Sequence, residues 1–132
     1  MIFADTAYFL ALLNPRDEWH AAAVRWSQTG QGPLVTTTWV LVEIGDALAT
    51  TRHRQWFPDF AAELASAAQI RIIAASDEWF RRGVAFYRAR PDKEWSLTDC
   101  LSFEVMRELG VREALTSDQH FMQAGFRALL RE

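Results

Sequence analysis

The chain opens Met1-Ile2-Phe3-Ala4-Asp5-Thr6-Ala7-Tyr8-Phe9-Leu10-Ala11-Leu12-Leu13-Asn14-Pro15, and the reading of this stretch decides the fold. Met1 to Asp5 is a short apolar run ending in an acid, which suits a buried strand. Thr6 to Leu13 reads as a helix that Asn14-Pro15 ends, because proline lacks an N–H and restricts the residue before it. A strand that passes into a helix through a single aspartate is the first half of a β-α-β unit.

The alternation continues along the chain. Asp17 to Gln28 reads as a helix with Trp19, Ala22, Ala23 and Trp26 on one side, and Gly30-Gln31-Gly32-Pro33 as a turn. Leu34 to Thr37 is a strand, Trp39 to Thr50 a helix, and Trp56 to Ala68 a helix with Pro58 in its first turn. Ile70 to Ala74 is a strand, followed by helices over Asp77 to Arg90 and Leu97 to Leu109. Ala114 to Thr116 is a strand, Asp118 to Ala124 a short helix, and Phe126 to Leu130 a closing strand. Strands separated by helices require right-handed crossovers, so the expected fold class is α/β: a three-layer α/β/α sandwich around a mostly parallel sheet of four to five strands. With 132 residues, half of them apolar, the chain suffices for one core, and a single domain over residues 1–132 is expected.

Composition narrows the function classes. No apolar stretch is long enough to span a bilayer and the N-terminus has neither a basic leader nor a small-residue cleavage site, so a cytoplasmic protein without a membrane partner is expected. Cys100 is the one cysteine, which excludes an intrachain disulfide and a cysteine zinc cluster and reads as a small core filler. His20, His53 and His120 show no ligand-type spacing and are expected to be ordinary surface or core histidines. The net charge of −3 comes from 14 basic and 17 acidic side chains; setting four acids aside leaves 14 against 13, or +1. A divalent ion bound by those four would therefore reverse the local field.

The four are Asp5, Glu43, Asp99 and Asp118. Asp5 and Asp118 directly follow apolar strand runs and precede helices, which puts both at the carboxyl edge of a parallel sheet, where ligands of such sheets bind. The competing role for each is simply to N-cap the helix that follows. Glu43 lies at the border of a helical face that buries Val40, Ile44, Ala47 and Leu48, so it can reach the same rim or stay in solvent. Asp99 falls in the middle of the apolar face formed by Leu101, Phe103, Val105, Met106 and Leu109. A carboxylate there must be paired or bound to a cation. Ser96-Leu97-Thr98-Asp99 also has the form of a capping box with Asp in place of Glu.

These residues carry a family resemblance. Phe3-Ala4-Asp5-Thr6, Val42-Glu43-Ile44, Trp95-Ser96-Leu97-Thr98-Asp99-Cys100 and Ala114-Leu115-Thr116-Ser117-Asp118-Gln119-His120-Phe121 resemble, in order and spacing, the motifs of PIN-domain ribonucleases. Gln123-Ala124-Gly125-Phe126 resembles the family's C-terminal end. The likeness covers essentially the whole chain and is greatest to the short VapC-type toxins of toxin–antitoxin pairs. It implies a metal-dependent endoribonuclease that uses Mg²⁺ or Mn²⁺, one or two ions, with Asp5, Glu43, Asp99 and Asp118 matching the acidic quartet. Thr6, Ser96 and Thr116 match supporting hydroxyl positions, and Asp92 is an extra acid just before the third motif. It further implies a homodimer and a cognate antitoxin protein whose segment enters the acidic cleft.

The chemistry suits the residue types on their own terms. Mg²⁺ and Mn²⁺ favour oxygen ligands, and such ions hold a phosphodiester and activate water for in-line attack. Hydrolysis by water leaves a 5′-phosphate and a 3′-hydroxyl. For RNA contacts, the densest basic clusters point to Arg52, Arg54, Arg88, Arg90 and Lys93. A phosphorelay receiver would need a second acid beside Asp5 and a late strand-end lysine, and a haloacid-dehalogenase phosphatase an acid where Ala7 stands. The remaining alternative is a non-catalytic PIN-like module that binds RNA or protein.

Overall fold

The computed structural model describes residues 1–30 and 32–132; Gln31, within the expected Gly30–Pro33 turn, lies outside the described residues. Five strands form one sheet: β1 (Ile2–Ala4), β2 (Leu34–Thr37), β3 (Ile70–Ile73), β4 (Glu113–Leu115) and β5 (Arg127–Ala128). Their order is β3-β2-β1-β4-β5 and every ladder is parallel, with Phe3 opposite Val35 on one side and Ala114 on the other. The helices are α1 (Thr6–Leu13), α2 (His20–Thr29), α3 (Thr38–Ala49), α4 (Trp56–Ser66), α5 (Asp77–Ala89), α6 (Leu97–Leu109) and α7 (Gln119–Gln123). This is the expected three-layer α/β/α sandwich.

The strand order places β1 at the centre. From it the chain builds outward through β2 and β3, then returns to the other side for β4 and β5, so the direction of winding switches between β1 and β4. A crevice opens at the carboxyl ends of strands at such a switch point. Asp5 follows β1 directly, and Thr116 and Asp118 follow β4.

Two expected boundaries move for identifiable reasons. The second helix begins at His20 rather than Asp17, because the Asp17 carboxylate accepts the Trp19 N–H at 2.8 Å and holds those residues in a turn. The closing strand stops at Ala128, where a 3-10 turn over Leu129–Arg131 drives Leu129 and Leu130 into the core. One helical face is also corrected: α3 buries Val40, Ile44 and Leu48, but Ala47 is exposed because it lines a surface groove instead of the sheet.

An aromatic cluster sets the ends of α6 and α7. Phe103, fully buried, meets Phe121 edge-on at 4.9 Å and Trp95 edge-on at 5.2 Å, and Phe121 also contacts Phe3 of β1. Trp95 Nε1 donates to Gln123 Oε1 at 3.1 Å, tying the segment before α6 to α7. Helix α7 has only five residues, so its position depends on this packing more than on its own hydrogen bonds.

Candidate active site

Asp5, Glu43, Asp99 and Asp118 line one cleft of about 370 Å³ at the switch point, together with Thr6, Ser96, Glu94 and His120. The chain separation of these acids is bridged by topology: Asp5 from the end of β1, Glu43 from α3, Asp99 from the first turn of α6, Asp118 from the loop after β4. Among the described residues, neither lysine nor arginine lines the cleft.

Each acid is held by a neutral neighbour. Asp5 is buried, and Thr116, also buried, donates its hydroxyl to Asp5 Oδ2 at 2.8 Å while accepting the Asp118 N–H at 3.0 Å. One hydroxyl thus fixes two carboxylate-bearing segments from opposite ends of the chain. Thr6 Oγ1 donates to Glu43 Oε1 at 2.6 Å. The capping alternatives divide cleanly: Asp5 makes no side-chain cap, Asp118 accepts the His120 N–H at 2.8 Å, and Ser96 with Asp99 forms the full reciprocal box. Capping therefore does not take Asp99 or Asp118 out of the cleft; it orients them there.

The electrostatics are those of a site short of positive charge. Burial pushes the Asp5 carboxyl up to about 7, opposed by the Thr116 hydrogen bond and reinforced by the neighbouring Asp99 and Glu43. Burial also raises Glu43 and Asp99, with Asp118 adding repulsion to both. Cys100, beside Asp99 in sequence, is buried and its thiol is raised to about 11 by burial, so it is the expected core residue rather than a nucleophile.

The expectation for His120 is corrected. Its Nδ1 lies 3.0 Å from Asp99 Oδ2 and 3.6 Å from Asp118 Oδ1, and the three side chains present ligand atoms within 4.8 Å of one another. When Asp99 is ionised its carboxylate can only accept, and the proton of that contact is then carried by His120 Nδ1. Glu94 also enters the cleft lining unforeseen, whereas Asp92 turns to a bidentate pair with Arg90 and is not part of it. That pairing holds the Asp92 carboxyl down at about 2.

None of the five expected RNA-contacting residues lines the cleft itself. Arg90 is engaged by Asp92, and Lys93 lies over the Trp95 ring at 5.8 Å. Arg54 donates to the Ala49 carbonyl at the end of α3, Arg88 lines a separate shallow pocket, and Arg52 lines a groove next to the cleft.

Fold and cleft together define a parallel α/β domain with an acidic cleft at its switch point, and the PIN domain family model matches residues 2–127. The chain belongs to the PIN-domain family. It is 30% identical to the 23S rRNA-specific endonuclease VapC20 of Mycobacterium tuberculosis, known from two strains, over 96% of this chain and 95% of that protein. The crystal structure of M. tuberculosis VapC20, a sarcin–ricin loop cleaving toxin, superposes with a TM-score of 0.86 at 27% identity over 96% of both chains. FitAcB from Neisseria gonorrhoeae shares the fold, with a TM-score of 0.62 at 14% identity over 97% of this chain and 95% of that one.

Proposed function

We propose that this protein is a metal-dependent endoribonuclease, the toxin of a type II toxin–antitoxin pair, whose residues 1–132 act as one nuclease domain in the cytoplasm. The observation that carries the reading is the convergence of Asp5, Glu43, Asp99 and Asp118 on a cleft lined, among the described residues, by no lysine or arginine. Carboxylates withdrawn from water without a cation are costly, and a donor set made mainly of carboxylate oxygens is what Mg²⁺ or Mn²⁺ selects. The family and the activity named for VapC20 support the same reading.

Asp5 and Asp99 would hold the ion directly, Asp118 directly or through water, and Glu43 would serve a second ion or the attacking water. When bound, one or two such ions supply positive charge to the phosphodiester and lower the pKa of a water molecule. The chain supplies orientation. Thr116 fixes Asp5, Thr6 fixes Glu43, and the Ser96 N–H with His120 Nδ1 occupies Asp99 Oδ2, leaving Oδ1 for the ion. A homodimer and a cognate antitoxin protein complete the proposal as its partners.

The test is cleavage of a sarcin–ricin loop RNA and of total RNA with Mg²⁺ or Mn²⁺. Products should carry 5′-phosphate and 3′-hydroxyl ends, and EDTA should abolish them. Residues that merely orient a metal ligand are worth about 10–100-fold, so loss of a ligand in Asp5→Asn should cost at least about a hundredfold. Cleavage that survives EDTA and leaves a cyclic phosphate would refute the metal chemistry. No cleavage by either form would instead identify a binding module.

A further inference from the structure

A groove of about 890 Å³ runs beside the acid cleft, between the Asn14–Asp17 turn after α1 and the Thr51–Trp56 segment that joins α3 to α4; Leu10 lines both. Its chemistry is the reverse of the cleft's. Arg16 and Arg52 line it, both are exposed, and neither forms an ion pair among the described residues. Arg82, Arg90 and Arg127, by contrast, are taken up by acids. The one acid in the groove lining, Asp17, is turned to the Trp19 N–H.

The groove also holds a built aromatic platform. The His53 ring lies flat on Trp56, with centroids 3.7 Å apart and planes 17° from parallel. Arg52 Nε donates to His53 Nε2 at 3.3 Å, which fixes the guanidinium beside that stack. Although His53 covers one face, Trp56 remains 42% exposed. A backed indole in solvent next to a free guanidinium is the pairing that takes a nucleobase on its π-face and a phosphate on its fork. Ions held by the acids of the adjoining cleft would balance the scissile phosphodiester alone, and no arginine or lysine among the described residues lines that cleft, so the neighbouring phosphates must be gripped nearby.

We propose that this groove binds a single-stranded stretch of the RNA substrate next to the scissile phosphate, with Trp56 stacking an unpaired base and Arg16 and Arg52 holding its phosphates. The proposal rests on the ribonuclease reading for its ligand, and its test separates the two.

Binding of a fluorescein-labelled oligoadenylate, followed by anisotropy in the full-length Asp5→Asn protein so that nothing is cleaved, reads the groove directly. Trp56→Ala should weaken binding about tenfold and Trp56→Phe should restore most of it, in keeping with the usual worth of base–aromatic stacking. Arg52→Ala should weaken binding and reduce the slope of log affinity against log salt by about 0.7, one released counterion on a single strand. With Asp5 intact, Mn²⁺ binding by calorimetry should be the same in these variants as in wild type. Unchanged RNA affinity in Trp56→Ala and Arg52→Ala would overturn the proposal. So would an equal loss in Arg71→Ala, which removes the same charge outside the groove, or a change of oligomeric state by light scattering with RNA affinity intact. Wild-type protein that binds RNA through Trp56 but never cleaves it overturns the nuclease reading and keeps the groove; cleavage with normal binding by the groove variants does the opposite.

Discussion

Asp99 is anchored through one of its two oxygens. Oδ2 accepts the Ser96 N–H at 3.1 Å and faces His120 Nδ1 at 3.0 Å, so the carboxylate is locked at the start of α6 by one backbone and one side-chain donor. Locking a ligand through its outer oxygen is how partners beyond the ligands themselves tune a metal site. His120→Ala should therefore lower Mn²⁺ affinity by about 10–100-fold, read by calorimetry. His120→Asn, whose amide can donate from a similar place, should recover part of the loss, while thermal stability changes little in either. Equal Mn²⁺ affinity in His120→Ala and wild type would remove the residue from the site. The histidine escaped sequence reading because its i, i+2 spacing from Asp118 is no ligand spacing within a regular helix. The two meet only because Asp118 is the N-cap and His120 lies in the first turn of α7. The available signal was its adjacency to an acid already assigned to the rim.

At the scale of elements, periodicity located nearly every strand and helix because it is a local property, and the failures are places where a side chain overrode it. The Asp17 turn delayed α2, and the groove beside α1 left Ala47 uncovered on a face whose pattern implied burial. A tight helix contact also lay beyond any pattern. Gly83 of α5 sits against α6 so tightly that an added Cβ would stand 2.3 Å from Leu101 Cδ2 and 2.6 Å from Leu101 Cγ. Leu101 is buried and two residues from Asp99, so it has nowhere to yield without shifting the first turns of α6. Alanine at an open helical site gains about 1 kcal/mol over glycine, whereas overpacking a core costs about 1–3 kcal/mol. Gly83→Ala should thus be a net loss, seen as a Tm lower by several degrees and as weaker Mn²⁺ binding. A Tm at or above the wild-type value would show that the α5–α6 contact is looser than it stands here.

At the scale of the whole molecule, the cleft exists only because the sheet's winding switches at β1, bringing residues 5, 43, 99 and 118 to one rim. The sequence marked those acids by their place after strands and on helix faces, but their meeting depends on a strand order that no local pattern carries. That assembly opposes stability. Asp5 ionises near its ordinary value of 3.8 in the unfolded chain and near 7 in the fold, so between these values the folded state holds more protons. The contribution of Asp5 to metal-free stability is then full below about pH 4 and declines as pH rises through about 7. Asp5 alone would account for a loss of up to about 4 kcal/mol, and Glu43 and Asp99, also raised, act in the same direction. A divalent ion competes with these protons, so the stabilisation it confers should grow across the same interval. Urea unfolding in EDTA from pH 4 to pH 8 should show the decline in wild type, and Asp5→Asn, which keeps an oxygen for Thr116, should flatten most of it and exceed wild type at pH 8. Added Mn²⁺ should reverse the order, stabilising wild type far more than the variant. Wild-type stability that stays level over this range, or a Mn²⁺ effect indifferent to pH, would mean that the cleft carboxylates are already compensated without an ion.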